Sequence, residues 1–119
     1  MNSDTFNNRW LNDDDRQFYA RELSSFIPPR VFDAHTHLWS QDLAHWDIES
    51  DFKSVGYKEY RSLMDDLHPG RDVAALFLPA FEERSLVPAG NAWVAKGVAG
   101  DPRCRGLFFI TPEDDCDWV

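Results

Sequence analysis

The residues of this sequence best suited to chemistry are two histidines one position apart, His35 and His37. They lie inside Val31-Phe32-Asp33-Ala34-His35-Thr36-His37-Leu38. That run reads as a buried strand, and side chains two apart on a strand point to the same face. Val31, Asp33, His35 and His37 are therefore expected on one face, with Phe32, Ala34, Thr36 and Leu38 on the other. Two neutral imidazoles on one face, near the strand's C-terminal end, can converge on a single divalent cation at roughly 2.0–2.1 Å per nitrogen. Asp33, one strand step deeper, is placed to accept the outward N–H of a ligating ring. A histidine pair at this spacing also arises by accident. The apolar strand, the acid two residues ahead and the position at the start of a β/α run favour metal ligands over two satisfied structural histidines.

The other reactive side chains weigh less. His68 precedes Pro69-Gly70 and reads as a cation at a helix C-terminus. His45 follows the motif strand in a polar stretch and reads as an exposed loop histidine. Trp39 stands at the rim of that strand, either as an aromatic wall for a substrate or as core; Trp93, at helical spacing, reads as core. The pairs Asp65-Asp66 and Glu82-Glu83 suggest acid–base carboxylates only at first sight, because adjacent residues do not face each other and solvation explains them better. No G-x-G-x-x-G, Walker-type loop or serine nucleophile elbow is present, which removes nucleotide-binding and acyl-transfer readings.

The elements that would position the pair can be read along the chain. Asp13-Asp14-Asp15 offers a helix N-cap and places acids at its positive end. Tyr19, Leu23, Phe26 and Ile27 follow as an apolar stripe of helical period, and Pro28-Pro29 stops it. After the motif strand, Trp39 to Gly56 shows no clear period. Tyr57, Tyr60, Met64 and Leu67 predict a second helix ended by His68-Pro69-Gly70. Val73 to Leu78 is a continuous apolar run, as in a strand covered on both faces. Residues 92–99 predict a third helix, capped by Asn91 and closed by Gly100-Asp101-Pro102, and Gly106 to Thr111 predicts a third buried strand. Alternation of this kind implies a parallel α/β sheet, either open or part of a barrel. Thr111-Pro112-Glu113-Asp114 resembles a capping box with proline at the first helical position. The chain reaches Val119 about one turn later, so a truncated sequence is expected.

Composition narrows the class further. The 119 residues are 43% hydrophobic and 14% aromatic, which argues for a packed domain and against a disordered tail. A formal net charge of −9 disfavours nucleic acid and anionic membranes as partners. The two cysteines, Cys104 and Cys116, form no C-x-x-C unit and read as reduced thiols. No signal-peptide pattern opens the chain, and the longest apolar stretch, Val73 to Phe81, is too short for a bilayer. A cytoplasmic protein is expected, with no membrane partner; the oligomeric state is left open.

The stretch Val31 to Trp39 resembles the opening strand of the amidohydrolase superfamily, specifically its amidohydrolase-related group, which includes decarboxylases. Asn91-Ala92-Trp93-Val94-Ala95 with Asp101-Pro102-Arg103 is similar to the group's second helix and exit turn. Arg105-Gly106-Leu107-Phe108-Phe109 with Thr111-Pro112 resembles its third strand and the loop beyond. The resemblance covers about residues 30–119, and only the histidine motif is chemically specific. It implies the N-terminal part of a (β/α)8 TIM barrel over residues 30–119, after a leading helix and extension over residues 1–29. It further implies a divalent metal, zinc or manganese, at the C-terminal rim, with His35 and His37 matching the first two ligands. The remaining ligands of the family pattern, on the fourth, fifth, sixth and eighth strands, fall beyond Val119, since such a barrel runs to about 250 residues. The activity implied for the whole protein is that of a metal-dependent hydrolase, water being activated against a small C–N or carboxylate-bearing substrate. A decarboxylase, a uronate isomerase or a TatD-like barrel enzyme is the alternative within metal barrels. A non-catalytic fragment or interaction module is the alternative of another class. No catalytic acid or base is carried onto this chain.

Overall fold

Pro29 ends the leading segment and hands its carbonyl to the Asp72 N–H at 2.8 Å, so two parallel strands start side by side. The structure, a computed structural model, describes residues 11–44, 53–115 and 117. Its first strand, β1 (Arg30–Leu38), pairs in parallel with β2 (Asp72–Pro79), which pairs in parallel with β3 (Arg105–Gly106), giving the order β1-β2-β3 in an open three-stranded sheet. Before the sheet come α1 (Asp13–Phe18) and a π-helical turn, Tyr19–Leu23. Between the strands lie α2 (Tyr57–Leu67), then a 3-10 turn, Arg84–Leu86, leading into α3 (Val87–Val98). This is a mixed α/β arrangement with parallel strands joined through helices, as the alternating pattern implied.

One face of the sheet carries the core. The Phe77 ring on β2 is fully buried, with Tyr60 and Tyr57 of α2 edge-on at 5.0 and 6.5 Å between centroids. On the same face α3 approaches so closely that a Cβ on Gly97 would stand 2.3 Å from Leu38 Cδ1. Leu38, Val55, Tyr60, Ala75, Phe77, Val94 and Cys104 form one buried cluster over this face. Among the described residues the opposite face of β1 has no such cover: Phe32 is 53% exposed and Ala34 is exposed. Among the described residues, no helix is long and apolar enough to cross a membrane.

Several local expectations are corrected. The cap of α1 is Asn12, which exchanges hydrogen bonds with Asp15 at 3.0 Å in both directions, so the acids occupy the first turn rather than the cap. The π-helical turn then breaks the 3.6-residue phase. Tyr19 is buried while Phe26, expected on the same stripe, is 83% exposed. The third helix begins at Val87, five residues before the expected start, with Pro88 in its first turn. Asn91 lies inside that helix and caps nothing. Its side chain donates to the Phe109 carbonyl at 2.8 Å and accepts from the Phe109 N–H at 2.9 Å. The third strand pairs only over Arg105–Gly106. Beyond it the chain is held by Leu107 N–H to Phe77 O at 2.9 Å and by Asn91, with no strand on its far side among the described residues. Residues 111–114 form a turn, with Asp114 N–H donating to Thr111 O at 3.0 Å, where a helix start was expected.

Candidate functional site

The site is built on β1, and its decisive local feature is a bulge. Asp33 pairs with Ala75 and Thr36 with Phe77, so three steps along β1 match two along β2, and Ala34 and His35 have no register partner. One extra residue reverses the alternation. Asp33 lies on the helix-covered face, where its Oδ2 accepts from the Tyr60 hydroxyl at 3.3 Å. After the bulge Leu38 lies on that same face, against α3, which leaves His35 and His37 on the open one. The expectation that Asp33 shares a face with the histidines and accepts a ring N–H is thereby corrected. Asp33 instead accepts the backbone N–H of His35 at 3.2 Å.

His35 and His37 do converge. Their Nε2 atoms are 3.3 Å apart, with ring centroids at 5.3 Å and planes tilted by 56°. The Nδ1 of His37 is 3.3 Å from the carbonyl of Pro79, the last residue of β2. A carbonyl only accepts, so the tautomer that satisfies this contact has the proton on Nδ1 and makes the Nε2 of His37 an acceptor. Without an ion, Nε2–H of His35 donates to it. With an ion, both nitrogens turn lone pairs inward. Two nitrogens about 2.0–2.1 Å from a tetrahedral centre stand roughly 3.3–3.4 Å apart, so the observed spacing suits a shared divalent ion. His35 is exposed and His37 half-buried, which leaves the point between them open on the uncovered side. The carbonyl anchor on His37 is the outer contact that metal-binding histidines ordinarily need.

Two ligands do not complete a site. Among the described residues, no group of three or more His, Cys, Asp or Glu side chains is arranged to hold a metal. His45 lies outside the described residues, as does Cys116. His68 is far from a free cation: it ends α2, and its Nδ1 lies 3.4 Å from the Tyr19 hydroxyl, with burial the main cause of a pKa below the ordinary imidazole value. Trp39 packs against the core and exchanges backbone hydrogen bonds with Val55 at 3.1 and 2.8 Å, tying the end of β1 to the approach to α2. Trp93 packs there too, and its indole N–H donates to Val55 O at 3.0 Å. The paired acids are explained by arginines and solvent: Asp65 meets Arg61 at 2.7 Å, Asp66 meets Arg16 at 3.0 Å, and Glu82 and Glu83 are exposed. Cys104 is a buried thiol whose pKa is pushed up chiefly by burial, so it offers no nucleophile.

Two contributors escaped sequence reasoning. The Pro79 carbonyl is a backbone group supplied by strand pairing. Tyr60 was legible only as an apolar helix position, because its hydroxyl meets Asp33 through the bulge. Compared with family models, with curated proteins and with solved structures, the chain matches none.

Proposed function

We propose that this chain supplies the opening strands of a metal-dependent (β/α) barrel enzyme of the amidohydrolase-related kind, with His35 and His37 as two ligands of one divalent ion, zinc or manganese. The reading is supported above all by the 3.3 Å convergence of the two Nε2 atoms, beside a His37 ring whose other nitrogen is tied to the Pro79 carbonyl. It is also supported by position, since both rings stand in the second half of β1, beside the last residues of β2, the end at which barrel enzymes keep their active sites. The uncovered sheet face fits a barrel interior awaiting further strands.

A bound divalent ion supplies a Lewis acid that activates water and polarises a substrate oxygen. The chain's own residues bind and orient. His37 would be oriented by the Pro79 carbonyl and His35 presented at the bulge, and to meet an ion His35 has only to give up the Nε2 proton it shares with His37. The substrate class that suits such a site is a small C–N or carboxylate-bearing molecule, with hydrolysis or decarboxylation decided by groups outside the described residues.

The test is direct. Metal-free protein titrated with Co2+, followed by calorimetry and by visible absorption, is expected to bind one equivalent, with His35→Ala and His37→Ala each weakening binding roughly tenfold or more. No saturable binding by the wild type, or unchanged affinity in both variants, contradicts the proposal.

A further inference from the structure

The bulge in β1 needs a cause, because a regular strand would have kept Ala34 and His35 in register with β2. On the helix-covered side, the buried Tyr60 donates its hydroxyl to Asp33 Oδ2 at 3.3 Å, while Asp33 Oδ1 accepts the His35 N–H at 3.2 Å. A side chain that captures a backbone N–H competes with the sheet ladder for that donor, which is how short acidic residues divert local structure. Tyr60 is fixed in turn by its edge-on contact with the fully buried Phe77 ring at 5.0 Å. A rigid aromatic of α2 thus fixes a carboxylate, the carboxylate holds one peptide N–H, and that peptide carries the ring of His35.

We infer that Asp33 and Tyr60 are positioning residues for the metal pair, acting from the opposite face of the sheet to hold the β1 bulge that aims His35 at His37. The inference rests on the metal reading above and goes beyond it by assigning roles to two residues that touch no ion or substrate. Burial, more than the neighbouring Asp33, raises the Tyr60 phenol pKa, so the hydroxyl keeps its proton and stays a donor across the working pH range. Asp33 does not act by polarising a ring N–H; its partner is the peptide.

The experiment compares Co2+ affinity and melting temperature in the wild type, Asp33→Ala, Asp33→Asn and Tyr60→Phe. Asp33→Ala is expected to weaken Co2+ binding by roughly tenfold, the order seen when an outer partner of a metal ligand is lost. Asp33→Asn keeps an oxygen able to accept the His35 N–H and is expected to restore most of the affinity. Tyr60→Phe keeps the ring on Phe77 and is expected to cost a few-fold. Gly106→Ala serves as the control for simple destabilisation. Its added carbon would meet Val94 at 2.8 Å, away from β1, so it lowers the melting temperature and leaves Co2+ affinity unchanged. If Asp33→Ala does not fold, Tyr60→Phe decides, since it keeps the ring on Phe77 and removes only the hydroxyl that holds Asp33. A wild type that binds Co2+ while Asp33→Ala and Tyr60→Phe bind equally well overturns the positioning role and leaves the metal reading standing. A wild type that binds no Co2+ removes the metal reading, and this inference with it.

Discussion

Asp101 is 5% exposed and accepts from the Arg103 backbone N–H at 2.9 Å, from Arg103 Nε at 3.0 Å and from the Tyr57 hydroxyl at 3.4 Å. Arg103 also reaches Asp72 at the start of β2, so this acid ties the exit of α3 to the sheet. The Arg103 hydrogen bonds, first of the influences on it, hold the Asp101 carboxyl well below the usual range, at about 2. A carboxyl whose pKa is depressed on folding contributes fully above its unfolded value and loses that contribution as pH falls from there through its folded value. Asp101→Asn is therefore expected to lower stability by on the order of 1 kcal/mol at neutral pH, allowing for solvent around Arg103. The difference from wild type should shrink as pH falls below about 4 and be mostly lost once pH is below about 2, as urea melts at each pH will show. A difference that stays constant from neutral pH down to about pH 2 contradicts the pairing. At this same scale His35 and His37 were legible as a converging pair, because two residues two apart share a face whether or not a bulge precedes them. Asp33 was misplaced for the complementary reason. The extra residue falls between it and His35, and nothing in the residue types alone announces that a carboxylate will take its neighbour's peptide N–H out of the ladder.

Elements meet here by close approach and by a polar clasp. Gly97 lets α3 rest on β1, and Gly97→Ala, which sets a carbon 2.3 Å from the buried Leu38 side chain, is expected to cost roughly 1–3 kcal/mol in denaturant melts. A neutral effect would mean that the helix sits farther out. The leading helical segment is held differently. Tyr19 meets His68 edge-on at 5.7 Å, and Arg71 lies 5.9 Å from the Tyr19 ring centre while donating to the carbonyls of Ser24 and Ile27. Burial lowers the His68 pKa from its ordinary 6.5, with Arg71 adding to the effect and Asp33 opposing it. A histidine depressed on folding gives its full contribution above the unfolded value and loses it as pH falls through that value towards the lower folded one. Protection factors of residues 13–27, corrected for the intrinsic pH dependence of amide exchange, should thus fall severalfold as pH drops through the ordinary imidazole range, and His68→Asn should flatten the response. An unchanged profile in that variant contradicts the clasp. The helix α2 and the strand β2 were readable because their apolar periods are uninterrupted and end at Gly70, whose φ of 72° suits the turn between them. The start of α3 was missed although Pro88 marks a first helical turn, and the third strand was overextended because its apolar run depends on a partner strand for pairing. The stripe of the first helix failed at the π-helical turn, a phase slip that periodicity does not register.

Taken as one body, the molecule has a covered face and an open one. Phe32, Phe108 and Ile110 are 53%, 54% and 59% exposed, large apolar side chains left open to solvent. Concentration-dependent association is expected in sedimentation velocity, reduced by Phe108→Ser or Ile110→Ser with little change in melting temperature. A monodisperse monomer at high concentration contradicts that expectation. The parallel α/β architecture followed from the alternation of strand and helix patterns, whereas closure into a barrel is not written in this stretch of sequence, because closing depends on strands that must pair with β1 and β3. The central claim concerns where a cation settles on this surface, and anomalous scattering surveys all of it at once. Crystals soaked in zinc and measured on both sides of the zinc edge are expected to show one dominant peak between the Nε2 atoms of His35 and His37, about 2.0–2.1 Å from each. A dominant peak elsewhere, or two imidazoles turned apart with no density between them, would contradict the account.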